Sequence, residues 1–232
     1  MGKNVLFIGG SPCSGKSTVA EKMAKEYGAF YFKVDDHLDE LIKTAAQQGN
    51  PVCRKIRQLS SDEIWMRDPE IQCREEFRIY SEIAPYLFNR IHEINADRII
   101  TEGAAYTPEV MKNHETGSYI MILAAPEFQM TQYKKREWVS RILADCSEKE
   151  AAFGNWMQRD ILFARQVKSD CVRLGIPYLM NDGAQSIDRF YQSVKDALGL
   201  ERGSDNEALF VEEQGRNGRD CGKSKDKTDG IL

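Results

Sequence analysis

Along the first two hundred residues, short continuous apolar runs alternate with stretches in which apolar positions recur every three or four residues. Five of the runs read as strands: Asn4 to Gly9, Ala29 to Val34, Arg98 to Glu102, Ser118 to Ala124 and Ile176 to Asn181. They do not alternate apolar with polar, as a strand with one wet face would, so they predict a parallel sheet covered on both sides. The stretches between them carry helical periodicity. Ser17 to Tyr27 places Val19, Ala20, Met23, Ala24 and Tyr27 on one face, and Gly28 offers the stop. Strand and helix in turn predict an α/β, three-layer, doubly wound fold with right-handed crossovers.

The longest gap lies between the second and third strands. It reads as an inserted helical lobe over 37–96, with helices at His37 to Gln48, Asp62 to Arg67 and Glu70 to Ile94, the last interrupted by Pro85. From Pro126 to Leu174 the pattern is helical again, and Ser147-Glu148-Lys149-Glu150 spells a capping box for its later part. A closing helix from Ser186 to Leu198 directs Ile187, Phe190, Tyr191, Val194 and Leu198 inward. Beyond Gly199 the composition turns to Gly, Asp, Glu, Arg, Lys and Asn, which predicts a mostly disordered tail over 201–232.

The chain has 232 residues, 41% of them hydrophobic, enough for one core with an inserted subdomain but tight for two large domains. A net charge of -4 gives no general attraction to nucleic acid or to an anionic membrane and favours a small anionic ligand instead. The first strand follows closely on Met1 without a signal-peptide pattern, and no apolar stretch is long enough to span a bilayer, so a cytoplasmic protein is expected. Six cysteines lack CxxC pairing or Cys/His ligand spacing, which predicts reduced thiols and no structural zinc.

Chemistry concentrates directly behind the first run. Gly10-Ser11-Pro12-Cys13-Ser14-Gly15-Lys16-Ser17-Thr18 spells GxxxxGK[ST] between a strand and a helix. In that setting backbone N–H groups wrap a polyphosphate, Lys16 reaches its outer oxygens and the Ser17 hydroxyl is placed to ligate Mg²⁺. Cys13 reads as a small spacer in this loop, with a sharper alternative of a redox-sensitive thiol activated by the helix N-terminus.

Phosphoryl transfer also needs a carboxylate at the attacking oxygen and positive charge on the moving group. Asp35 and Asp36 follow the second strand and emerge at the carboxyl edge of the sheet, where ligands gather. Asp35 is the expected general base, with Asp36 the second choice or a ligand to metal-bound water. Glu102 closes the third strand in the position of an acid that holds a metal-bound water or the acceptor. Among the cations after the fourth strand, Arg136 is the expected clamp on the transferring group, with Arg141 and Arg159 behind it. In the lobe, Arg54, Arg57, Arg67, Arg74 and Arg78 could grip an anionic acceptor or form surface ion pairs.

GGSPCSGKST after a first strand, VDD after a second, an inserted lobe, TEG after a third strand and an Arg-bearing segment after the fourth resemble the P-loop kinases of the nucleoside-monophosphate-kinase type. Within that group the loop and the VDD are similar to those of chloramphenicol phosphotransferase and of gluconate and shikimate kinases. The resemblance covers roughly residues 1–200 and implies a five-stranded parallel sheet of order 2-3-1-4-5, ATP with Mg²⁺, and a lid over 127–160 that closes on the phosphates. It implies Asp35 as the catalytic base, Arg136 and Arg141 as lid arginines, and an adenine-contacting loop from Asn181 to Ala184 that includes Asp182 and Gly183. The expected activity is transfer of the ATP γ-phosphate to a hydroxyl of a small molecule. A nucleoside monophosphate kinase and a non-catalytic ATP-binding regulator are the alternatives. Oligomeric state is left open.

Overall fold

A computed structural model describes residues 3–114 and 117–200; the polar tail of 201–232 lies outside the described residues. Five strands, β1 (Asn4–Gly10), β2 (Phe30–Lys33), β3 (Arg98–Glu102), β4 (Tyr119–Ala124) and β5 (Tyr178–Asn181), form one sheet in the order β2-β3-β1-β4-β5. Every pairing is parallel. The continuous apolar runs have a direct explanation, since alternate residues of one strand feed opposite cores. Leu6 and Ile8 of β1 join Ile100, Ile120 and Ile122 against α1 (Lys16–Tyr27) and α10 (Ile187–Ala197). Phe7 faces the other way, with Phe32, Ile99, Met121 and Leu123.

That second face is covered by α5 (Pro69–Glu93) and α9 (Lys149–Leu174), whose Leu87, Phe88, Phe163 and Val167 are buried there. Between β2 and α5 the insert comprises a 3-10 turn at Val34–His37, then α2 (Leu38–Gln47), α3 (Pro51–Ile56) and α4 (Ser61–Trp65). A short α6 (Pro108–Lys112) follows β3. The stretch expected as one helical region after β4 divides into α7 (Pro126–Lys134), α8 (Trp138–Ile142) and the long α9. No helix among the described residues is long and apolar enough to cross a membrane.

Helix α1 behaves as its periodicity demands. Val19, Ala20, Met23, Ala24 and Tyr27 are buried, and Gly28 ends the helix at φ 60°, a conformation that favours glycine. Three expectations need correction. Pro85 does not interrupt its helix, which runs unbroken from Pro69 to Glu93. Proline deprives the Ser81 carbonyl of its usual partner, and both residues lie on the exposed side, where that carbonyl is open to solvent.

The capping box at Ser147 to Glu150 does not form. The Ser147 backbone N–H donates to Asp62 Oδ1 at 2.8 Å, tying that turn to the lobe, and α9 begins after Glu148 without a side-chain cap. A capping box forms instead at α4, where Ser60 and Glu63 satisfy each other's backbone N–H. Ile187 is the third correction. It stays 44% exposed because the inward stripe of α10 begins one turn later, at Phe190 and Tyr191.

Candidate active site

The loop between β1 and α1 is held in shape from three sides. Gly10, at φ 131°, sits so close to β4 that an added Cβ would lie 1.8 Å from the Ile122 carbonyl oxygen. Ser11 takes up the next contact: its N–H donates to the Ile122 carbonyl at 3.1 Å and its Oγ accepts from the Ala124 N–H at 2.8 Å. From β5, the Asn181 amide donates to the Ser14 carbonyl at 2.9 Å. Lys16, only 6% exposed, reaches back over the loop to donate to the Ser11 carbonyl at 2.7 Å. Gly15 adopts φ 92° at the helix N-cap and brings no side-chain cap, so the first-turn N–H groups of α1 face the loop's hollow.

That hollow is a cavity of about 140 Å³, lined by the loop from Pro12 to Thr18 and, from other elements, by Lys33, Asp35, Tyr133, Arg136 and Trp138. Asp35 arrives from the 3-10 turn directly after β2. Arg136 comes from the turn after α7, where its N–H bonds the Tyr133 carbonyl at 3.0 Å. Its guanidinium carbon lies 5.7 Å from the centre of the Trp138 ring, a cation–π distance that steadies an exposed side chain at the cavity mouth.

Glu102 is fully buried and meets the cavity through Ser17. Ser17 Oγ donates to its Oε1 at 2.9 Å and the Tyr31 hydroxyl donates to the same oxygen at 3.1 Å. Its other oxygen, Oε2, is buried without a hydrogen-bond partner. Burial pushes this carboxyl above the usual range; Lys16 pulls it back, and Asp35 adds to the rise.

The remaining expected residues separate. Asp36 is two-thirds exposed and pairs with Lys33 at 3.4 Å, apart from the cavity lining. Arg141 is exposed on α8 and is absent from that lining. Arg159 is bound into the wall between α5 and α9: its Nη2 lies 2.6 Å from Asp160 Oδ1, its Nε lies 3.0 Å from Glu76 Oε2, and its charged end sits against Trp65 and Trp156. Asp182 and Gly183 turn the chain after β5, with the Gly183 N–H bonded to Asn181 Oδ1 and the Ala184 N–H to Asp182 Oδ1. Asn181 thereby links that turn to the phosphate loop.

The redox reading of Cys13 is reversed. This residue alone among the described non-glycine residues has positive φ, at 56°, and burial raises its thiol to about 11 despite the nearby Arg136 and Lys16. At neutral pH the thiolate is scarce, the opposite of an activated cysteine.

Sequence reasoning passed over Tyr133, Trp138 and Lys33. Two of them were detectable as aromatics flanking Arg136 at three positions before and two after, whereas nothing in the local pattern distinguishes Lys33 from a strand-edge lysine.

No protein-family model matches the chain, and no curated protein matches it. Among solved structures it is similar to deoxyadenosine kinase from M. mycoides, at 13% identity and TM-score 0.47, over 84% of this chain and 99% of that one. Shikimate kinase from Bacteroides thetaiotaomicron is similar at 16% identity and TM-score 0.45, over 84% and 98%. A sugar kinase from Janibacter sp. HTCC2649 is similar at 17% and 0.41, over 86% and 96%.

Proposed function

We propose that the chain is an ATP-dependent phosphotransferase that moves the γ-phosphate to a hydroxyl of a small molecule. One observation carries this reading: Lys16, Ser17, Asp35 and Arg136 meet at a single cavity, and the buried Glu102 is bonded to Ser17. These are the parts that phosphoryl transfer requires, a cradle, a carboxylate and mobile positive charge.

The residues fit Mg²⁺. The described residues hold no cluster of three His, Cys, Asp or Glu, so a divalent ion here would draw mostly on phosphate oxygens and water, as Mg²⁺ does in nucleotide sites. Ser17 Oγ and the unpartnered Glu102 Oε2 are the protein groups that would hold it and its water. When bound, the ion neutralises charge on the β- and γ-phosphates.

The chain's own residues do the rest. First-turn N–H groups of α1 bind the α- and β-phosphates, and Lys16 leaves the Ser11 carbonyl for the outer oxygens. Asp35 accepts the proton of the acceptor hydroxyl as its oxygen forms the new bond to γ-phosphorus, the bond from γ-phosphorus to the β-bridging oxygen breaks, and ADP leaves. Arg136, held by Trp138, stabilises charge on the equatorial oxygens. The test is an ATP-consumption screen against sugars, amino alcohols, nucleosides and phosphorylated acids, followed by location of the phosphate in the product. A chain that binds MgATP while no acceptor accelerates its turnover would be a nucleotide-binding regulator instead.

A further inference from the structure

Arg136 stands on a short segment that is fastened to the rest of the molecule through Tyr133. That tyrosine, on the last turn of α7, lines the phosphate cavity, and its carbonyl accepts the Arg136 N–H at 3.0 Å. Its hydroxyl donates to Asp160 Oδ2 on α9 at 2.6 Å. Asp160 is wholly buried, and its other oxygen is taken by Arg159, with Nε at 2.8 Å and Nη2 at 2.6 Å. Arg159 Nε also lies 3.0 Å from Glu76 Oε2, so the carboxylate that holds Tyr133 is itself fixed against α5.

Packing alone does not call for that hydroxyl. The Tyr133 ring centre is 5.2 Å from that of Trp156 and 6.2 Å from that of Trp138, and a phenylalanine would fill the same space. A buried ion pair such as Asp160 with Arg159 adds little stability over apolar side chains of similar volume. What the bond from Tyr133 supplies is direction, since a short charge-assisted bond to an immobile acceptor fixes both the place and the rotation of its donor. Burial, and Asp160 after it, raise the phenol well above its usual range, so the hydroxyl remains a donor at neutral pH. A second tie from α7 to α9, from the Gln129 amide to the Met157 carbonyl, is long at 3.4 Å and lies one turn earlier. Cys13 of the phosphate loop packs against the same aromatic cluster, which seats the segment on the loop it serves.

We propose that Asp160 and Tyr133 are positioning residues: their hydrogen bond sets the last turn of α7 and thereby places the Arg136 guanidinium at the phosphate cavity. This rests on the phosphotransferase reading and assigns Arg136 its support. Trp138 steadies the charged end of the side chain, whereas Tyr133 steadies the backbone that carries it. Asp160 acts only through Tyr133.

The experiment uses the full chain and follows MgATP turnover, with an acceptor found by screening or with water in its place. Tyr133→Phe removes only the hydroxyl and should lower kcat by about tenfold, with the KM for MgATP within about twofold of wild type. In an Arg136→Ala background the same change should cost less than about twofold, because no guanidinium is left to misplace. Asp160→Asn, left with one acceptor for two donors, should fall with Tyr133→Phe, and the two losses should not add. Trypsin gives a readout that needs no turnover. Lys134, Lys135 and Arg136 are consecutive exposed cleavage sites, and nicking there should quicken roughly tenfold in Tyr133→Phe under native conditions, while cleavage elsewhere keeps its wild-type rate. Wild-type kcat in Tyr133→Phe, an equal loss in both backgrounds, or an unchanged nicking rate overturns the inference. Failure of the wild type to bind MgATP overturns the phosphotransferase reading instead, and the nicking rates then judge the Tyr133–Asp160 tie by themselves.

Discussion

Ser17 Oγ and Glu102 Oε1 are 2.9 Å apart although 85 residues separate them in the chain. The contact exists because β3 pairs with β1 in register from Asn4 against Arg98 to Ile8 against Glu102, so the strand delivers its last residue beside the loop that β1 feeds. A buried carboxylate and the hydroxyl proposed to ligate Mg²⁺ are thereby held together by the fold itself.

The first prediction concerns pH. Burial raises the Glu102 carboxyl, so it takes up a proton at higher pH than an ordinary glutamate, and the protonated form is a poor partner for Mg²⁺-bound water. MgATP affinity should therefore be full above that raised pKa and fall as pH drops through it. Binding should also release a proton, read as a dependence of the calorimetric enthalpy on buffer ionisation. Glu102→Gln should flatten both. Linkage has the opposite sign for folding: a raised carboxyl destabilises the folded state at high pH and is relieved on acidification. Glu102→Gln should accordingly melt no lower than wild type at pH 7.5, and its advantage should shrink at acid pH.

Lys16→Ala and Arg136→Ala should each lower kcat by roughly a hundredfold or more if both act on developing charge. Trp138→Ala removes the ring that positions Arg136 and should lower kcat by about tenfold, with an acceptor KM close to wild type. Steady-state kinetics at saturating MgATP distinguishes the three.

Asp35→Asn should silence transfer while leaving MgATP affinity within a few-fold of wild type, measured by titration calorimetry. Full turnover in that variant would remove Asp35 from the role of base.

Cys13 should resist alkylation. With its thiol raised to about 11, modification by iodoacetamide at pH 7.5 should be slower than that of a free cysteine and should quicken steeply above pH 10. Cys13→Ala should retain activity.

Gly10→Ala should not fold to the native loop. The added methyl would meet the backbone of Ile122 at 1.8 Å, and φ 131° is strained for any side chain, so a loss of more than about 2 kcal/mol is expected by denaturant titration.

Much of this was legible from residues alone, and the reason differs by element. Strand positions were readable because a strand covered on both faces has no polar alternation to obscure it, as in Val5 to Ile8. The loop from Gly10 to Thr18 was readable because its geometry depends on glycine and its chemistry on Lys16 and Ser17. Pro85 misled because its cost depends on whether water can reach the freed carbonyl, which is a property of the packed helix. Ser147 misled because Asp62, 85 residues earlier, takes its N–H. Arg159 could not be told from a solvent-facing cation, since its fate is decided by Glu76 on another helix and by two tryptophans. Long-range pairing of this kind leaves no local trace.

Those tryptophans have a mechanical consequence. Trp65 of the insert and Trp156 of α9 stack at 4.5 Å, with Arg159 against both, and Phe77 stacks on Phe163 one stretch further along the same two elements. Insert and long helix are thus riveted into one stiff jaw, and Trp138, 5.9 Å from Trp156, moors the short segment carrying Arg136 to the same rivet.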